Sequence, residues 1–301
     1  MATHNFSGAD HFILYLDGGP TVLKGFEGGN IKGAVETVAT GLDDLPTKNI
    51  SALELEPIVI QAGISMGKSL REWIGATLDQ TDMRKSGYVV AGNADYEATA
   101  LRHFRDALIT EITIPALDAA SKDGSYFTIK FDPEEITYKD GDKSALTGVV
   151  NARQKQWLCS GFRMRLGDLP CTRVSKIDAF TIKQHIVPET SGDFRVSTRK
   201  VTKLEIPNLK ITFSAADIKP WTAWFDEFVV KGRNSQDKEL TGIIEFLDPS
   251  GTEVLGAIDL LQVGIFSLSV EKAEEAHAAG ESRYVAELYA ENMGINFTSA
   301  R

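Results

Sequence analysis

Leu53-Glu54-Leu55-Glu56-Pro57-Ile58-Val59-Ile60 and Leu204-Glu205-Ile206-Pro207-Asn208-Leu209-Lys210-Ile211 align without a gap at an offset of 151 residues. The register continues into tryptophans. Trp73-Ile74 falls on Trp224-Phe225, Leu70 on Trp221 and Leu78 on Val229, which reproduces the apolar stripe of a helix. Upstream, Ile31-Lys32 falls on Ile182-Lys183, and with one residue of slippage residues 12–16 fall on 162–166, so that Pro20 meets Pro170. Downstream, residues 127–131 match 284–288 and Glu134 matches Glu291 at an offset of 157, so a longer loop is expected in the second copy. A gapless match of strand, turn and Trp-bearing helix marks a long-period duplication, which constrains architecture more firmly than local propensity does. The 301 residues then divide into two domains of one plan, 1–150 and 151–301.

Within each copy the pattern is mainly β. Phe12, Leu14 and Leu16 alternate with Ile13, Tyr15 and Asp17 as in a half-buried strand, and Gly18-Gly19-Pro20 ends it. Residues 25–33 hold four glycines around Phe26 and Ile31, which predicts unusual dihedrals or a close backbone approach. The counterpart, 176–184, keeps none of them, and there is no GxGxxG or GxxxxGK[ST], so a phosphate cradle at Gly28 and Gly29 is not expected. Residues 53–60 read as one apolar strand. Ser65 or Ser69 is expected to cap the first helix and Asp217 the second, with Pro220 in its first turn. Residues 87–91 and 241–246 read as short strands. Residues 101–115 have some helical spacing, but their match at 254–270 is rich in β-branched and aromatic residues, which favours strands in both. Residues 118–125 and 271–281 read as loops.

Composition narrows the function. With 43% hydrophobic and 25% charged residues the chain is neither a helical membrane protein nor disordered. Its N-terminus lacks the basic start and apolar stretch of a signal peptide, which predicts synthesis and folding in a cytoplasm. A net charge of −10 argues against a surface that wraps nucleic acid. The charge is uneven, −9 over 1–150 and −1 over 151–301, so the copies are expected to face different surroundings. Cys159 and Cys171 fit no disulfide framework, CxxC pair or zinc knuckle and read as reduced thiols.

No catalytic, cofactor-binding or metal-ligating residue is assigned. His4, His11, His103, His185 and His277 show no metal-ligand spacing and there is no HExxH or G-x-S-x-G. Glu134-Glu135 would point to opposite faces of a strand, so a solvated edge is expected. Asp140-Gly141-Asp142 lacks the other ligands of a calcium loop. The basic run Arg195, Arg199, Lys200 and Lys203 has only Lys48 as its counterpart; it suits either an acidic partner surface or a solvated face.

Taken together, the opening strands and Gly turn, the apolar stretch 53–60, the helices carrying Trp73 and Trp224, and the blocks 107–122 and 127–134 resemble the tail-tube proteins of contractile phage tails and contractile injection systems, once per half. The resemblance implies two tandem β-sandwich or half-barrel domains, each with one flanking α-helix, and a non-enzymatic structural subunit needing no cofactor. It also implies partners: itself, in rings of three or six chains joined by sheet pairing; sheath, baseplate or hub proteins; and DNA or protein cargo in a lumen, with no membrane. The chain would assemble in the cytoplasm and reside in a virion tail or injection-particle tube. The ordinary tube subunit has one domain, so tube, initiator and hub all stay open. The rival reading is a ligand- or carbohydrate-binding β-sandwich protein or enzyme, which would need Trp73 and Trp224 exposed for stacking.

Overall fold

The computed structural model describes residues 6, 9–17, 19–38, 47–146, 157–189, 198–271 and 282–298; the domain boundary at 150, Gly18, Arg195, His4, His277 and most of the 271–281 loop lie outside them. The fold is mainly β, with 61% strand and 12% helix, arranged as a closed six-stranded barrel and a half-barrel sheet.

The first half runs β1 (His11–Leu16), β2 (Gly19–Gly28), β3 (Ile31–Val38), β4 (Thr47–Leu55), β5 (Ile58–Ala62), α1 (Lys68–Leu78), β6 (Lys85–Gly92), β7 (Ala98–Ile114), β8 (Leu117–Asp118), β9 (Phe127–Asp132) and β10 (Glu135–Asp140). The sheet β7-β6-β1-β2-β5-β9 closes because β9 pairs back onto β7. Period-two alternation fills its interior: Leu14, Ile60, Phe127, Ile129 and Phe131 are all fully buried. Helix α1 buries Leu70, Trp73 and Ile74. The Trp73 ring lies 5.2 Å from that of Phe131, and its indole N–H donates to the Met83 carbonyl at 2.9 Å.

The second half runs β11 (Phe162–Leu166), β12 (Val174–Ile177), β13 (Phe180–Glu189), β14 (Thr198–Glu205), β15 (Leu209–Ser214), α2 (Ile218–Phe225), β16 (Leu240–Leu247), β17 (Val254–Val270) and β18 (Arg283–Phe297). Its sheet, β11-β16-β17-β18-β15-β12-β8, stays open, ending at β11 on one side and, on the other, at β8, a strand taken from the first half. Trp157 joins the halves, its ring 5.2 Å from Phe127 and 4.4 Å from Phe246, within one apolar core shared by both.

The irregularities of the two sheets coincide. The β2–β5 pairing shifts register at Leu23/Gly25 and the β12–β15 pairing at Val174/Lys176; β3–β4 shifts at Ala34/Val35 and β13–β14 at His185/Ile186. Strand β7 breaks register against β9 at Ile109/Glu111, as β17 does against β18 at Ile265/Ser267. Asp106 and Gln262, at matching places in β7 and β17, both take a left-handed backbone with φ of 54° or less. Regular strands look alike in any sheet, whereas bulges and left-handed non-glycine residues are local features that general sheet geometry does not impose.

Several sequence expectations need correction. Residues 53–60 are not one strand: Glu56 and Pro57 separate β4 from β5, and Leu53 is exposed, because β3 and β4 leave the barrel as a two-stranded ribbon. Neither Ser65 nor Ser69 caps α1; its first residue follows Gly67, whose N–H donates to the Thr21 hydroxyl at 2.9 Å. Asp217 precedes α2 but gives no capping hydrogen bond, its carboxylate lying 3.7 Å from Arg173, while Ser214 caps the short 3-10 turn before it. In α2 the fully buried tryptophan is Trp221, which donates to the Pro170 carbonyl at 3.2 Å; Trp224 is only partly covered.

Truncating Trp73 or Trp221 to alanine is therefore expected to cost about 3–5 kcal/mol in urea unfolding, the range for a buried aromatic. Trp224→Ala should cost clearly less. Equal losses at Trp221 and Trp224, or less than ~1 kcal/mol at Trp73, would contradict this packing.

Candidate assembly interface

A β-strand satisfies its backbone only where both edges are paired, and an open apolar edge is a template for another strand. Strand β7 is 17 residues long and is paired along most of both edges. One edge takes β10 at residues 100–105 and β9 at 108–113; the other takes β6 and then β13, with Phe180 opposite Ile114 and Lys183 opposite Glu111. The β13–β14 ribbon of the second half is thus seated on the barrel of the first.

Side chains lock that seat. Thr113 and Thr181 hydroxyls lie 2.8 Å apart, and the buried Gln184 amide donates to the Ile109 carbonyl at 2.8 Å. Arg199 donates its backbone N–H to Glu134 at 3.2 Å and its guanidinium to the Pro133 carbonyl at 3.3 Å, and it lies 3.5 Å from Asp132. Arg84 reaches both Glu134 and the Arg199 carbonyl. Burial pushes the Asp132 carboxyl above its ordinary pKa, and Arg199 and Lys130 pull it back. Glu134 is therefore no solvated edge: it is mostly covered and holds two arginines, while Glu135 stays exposed 3.0 Å from Arg105. Of the basic run, Arg199 meets an acidic surface, and it belongs to the same chain; Lys200 and Lys203 face solvent.

The first half has the same ribbon without a seat. Strands β3 and β4 pair only with each other among the described residues. The root is fixed: Gly28 and Gly29 have φ of +79° and +66°, and a side chain on Gly28 would strike the Pro57 carbonyl. Arg102, stacked over Phe6, Phe26 and Tyr138, donates to the Gly28 carbonyl. Beyond the root, the apolar positions that are covered in the seated ribbon are bare. Ile182 is 1% exposed and its counterpart Ile31 37%; Ile186, Val201 and Leu204 are partly covered, whereas Val35, Ile50 and Leu53 are 64%, 74% and 73% exposed.

A complementary edge exists on β17. Strand β16 stops pairing at Val263, while β18 pairs through Val270 on the other side, so residues 264–270 have one edge without a strand partner among the described residues. Phe266 and Val270 there are exposed. The sequence signalled the matched apolar positions but could not say which set was covered.

Elsewhere the chemistry is sparse. Among the described residues no three His, Cys, Asp or Glu side chains gather as a metal site, and no helix is long and apolar enough to cross a membrane. A groove of about 590 Å³ follows the open seam of the half-barrel, lined by Phe162, Met164, Leu169, Pro170 and Val174. The buried Cys171 thiol borders it, pushed up to about 11 by burial.

No family model and no curated protein sequence matches the chain. Among solved structures it is similar to the tube-terminating cap of the anti-feeding prophage, at 16% identity over 52% of this chain and 100% of that one, with a TM-score of 0.43. It is also similar to a chain of the sheath–tube complex of the extracellular contractile injection system PVC in its extended state, at 14% identity over 46% and 88%, TM-score 0.37. A chain of the anti-feeding prophage baseplate matches at 13% identity over 46% and 93%, TM-score 0.35. At TM-scores below 0.5 these likenesses fix neither the family nor the role of this chain.

Removing the Arg199 side chain leaves the mostly buried Asp132 with only Lys130 to offset its burial, so Arg199→Ala should lose about 1–3 kcal/mol in urea unfolding, whereas Lys200→Ala should lose under ~0.5 kcal/mol. A neutral Arg199→Ala would show that the seat does not depend on this contact. At pH 8, iodoacetamide should modify the half-buried Cys159 well before Cys171 in the native protein, with Cys171 reacting only on unfolding. Peptide mass spectrometry reads the order, and faster labelling of Cys171 would contradict its burial.

Proposed function

We propose that this chain is a structural subunit of a phage tail or contractile-injection-type tube, made of two copies of one domain, that assembles with further copies of itself by extending sheets from chain to chain. One observation carries the reading: the same ribbon occurs twice, seated on a long strand in the second half and bare, with its apolar residues kept, in the first. A protein that functioned as a monomer would gain nothing from five exposed aliphatic side chains, Ile31, Val35, Val38, Ile50 and Leu53, on a protruding ribbon. The coincident bulges at fixed offsets support the duplication, and the sequence pattern supports the tail-tube type.

On this reading the subunit is not an enzyme, and its partners are its own copies in a ring of three or six chains, the neighbouring tail components, and cargo in the lumen. The difference in charge between the halves, −9 against −1, suits non-equivalent positions in one assembly. Of the two tryptophans the carbohydrate-binding alternative needs exposed, Trp73 is fully buried against the barrel and Trp224 is partly covered, which weakens that alternative.

Mass photometry over a concentration series, followed by negative-stain electron microscopy, tests the reading. Concentration-dependent oligomers, with three or six subunits about an axis or stacked tubes, are expected. A strict monomer at every concentration, without rings or tubes even alongside its tail components, would sink it.

A further inference from the structure

The junction inside the chain specifies the junction between chains. Second-half residues 180–183 pair with first-half residues 111–114 on the β6 side of β7. The ribbons correspond at an offset of 151, since Lys183↔Glu205 and Lys32↔Glu54 are equivalent cross-strand pairs and both ribbons bulge at the same place. The long strands correspond at 156, since Lys85↔Ala107 and Leu240↔Val263 are equivalent, as are Asp106 and Gln262. Carrying the pairing across both offsets places Gly29–Lys32 against residues 267–270, with Lys32 opposite Ser267 and Ile31 opposite Leu268.

That target is the strand edge left open on β17. We infer that the β3–β4 ribbon of one chain pairs antiparallel with the open edge of β17 in a second copy, in this register. The inference rests on the structural reading above and adds which edges meet and how.

Three further observations fit the occupant. The open edge and the bare ribbon each carry exposed aliphatic or aromatic residues, Phe266 and Val270 on one, Val35, Ile50 and Leu53 on the other. Charge is complementary at the position of the Arg199–Glu134 contact: its counterparts are Lys48 and Glu291, both exposed. Backbone alternation also leaves the right groups available. The Asn30 carbonyl faces Glu56, so Ile31 points its N–H away from β4; in the single chain the Tyr138 hydroxyl takes that N–H at 2.9 Å and donates to the Gly29 carbonyl at 3.2 Å. An incoming β17 would replace this one hydroxyl with a ladder.

The ribbon and the edge are different surfaces, so the contact is head-to-tail. Such a contact closes into a ring, of which a reciprocal dimer is the smallest, or continues as a filament.

Disulfide trapping tests the register. In the proposed pairing Lys32 and Ser267 form a non-hydrogen-bonded pair, with Cα atoms about 4.5 Å apart, within disulfide reach. Full-length chains carrying both Lys32→Cys and Ser267→Cys should give a ladder of dimers, trimers and higher species on a non-reducing gel after mild oxidation. Chains with one substitution, mixed with chains carrying the other, should stop at the dimer, and neither single variant alone should form it. Both sites lie outside the core, so thermal melts should match the parent and exclude misfolding. Rings or tubes that form without this crosslink would overturn the proposed edge while leaving the structural role intact. Absence of both particles and crosslink at every concentration would overturn the two together.

Discussion

The two edges of β7 are the constraint on which the molecule turns. Seventeen residues in one strand expose far more backbone than a single neighbour can satisfy, and four other strands share the task. Because β9 and β6 lie on opposite edges, pairing both onto β7 closes the barrel. Because β6 ends before β7 does, the remaining length takes β13 and so ties the second half to the first. The left-handed residue Asp106 and the bulge at Ile109/Glu111 sit near where these partners change over, bending the strand so that one element serves two layers.

Strand β17 has the same length, the same bulge and a left-handed residue at the same place, but one stretch of its edge has no strand partner among the described residues. Conversely, the β3–β4 ribbon matches β13–β14 in pairing and bulge, and among the described residues it has no strand to lie on. The chain thus has one satisfied junction and the two unsatisfied halves of another. Burial follows the same logic: the fully buried aromatics Trp73, Phe104, Phe127, Phe131, Phe213, Trp221 and Phe246 all lie in the shared core, while five exposed aliphatics, Ile31, Val35, Val38, Ile50 and Leu53, lie on the bare ribbon.

Much of this was legible in the residues. The 151-residue register located both helices and the strands at 58–60 and 209–211 before them, though not the two ribbons, and the β-rich match at 254–270 resolved the ambiguous stretch 101–115 in favour of a strand. What misled was local. Residues 53–60 look largely apolar, yet Pro57 lacks the N–H to continue a ladder, and the chain passes there from a solvent-facing ribbon into a barrel wall. Glu134 looked solvated because adjacent residues of a strand point to opposite faces; its partners are Arg84 and Arg199, 50 and 65 positions away. Trp224 matched Trp73 by alignment but is only partly covered, and the fully buried tryptophan of α2 is Trp221, the match of the equally buried Leu70.

The sequence by itself determined a mainly β chain and pointed to two halves of one pattern, because period and composition are properties of residue order. Only the tertiary structure decided which sheet closes, which stays open, and which of two near-identical ribbons is covered. Those outcomes depend on long-range strand partners, and apolar residues at matched positions read the same in sequence whether another strand lies over them or not.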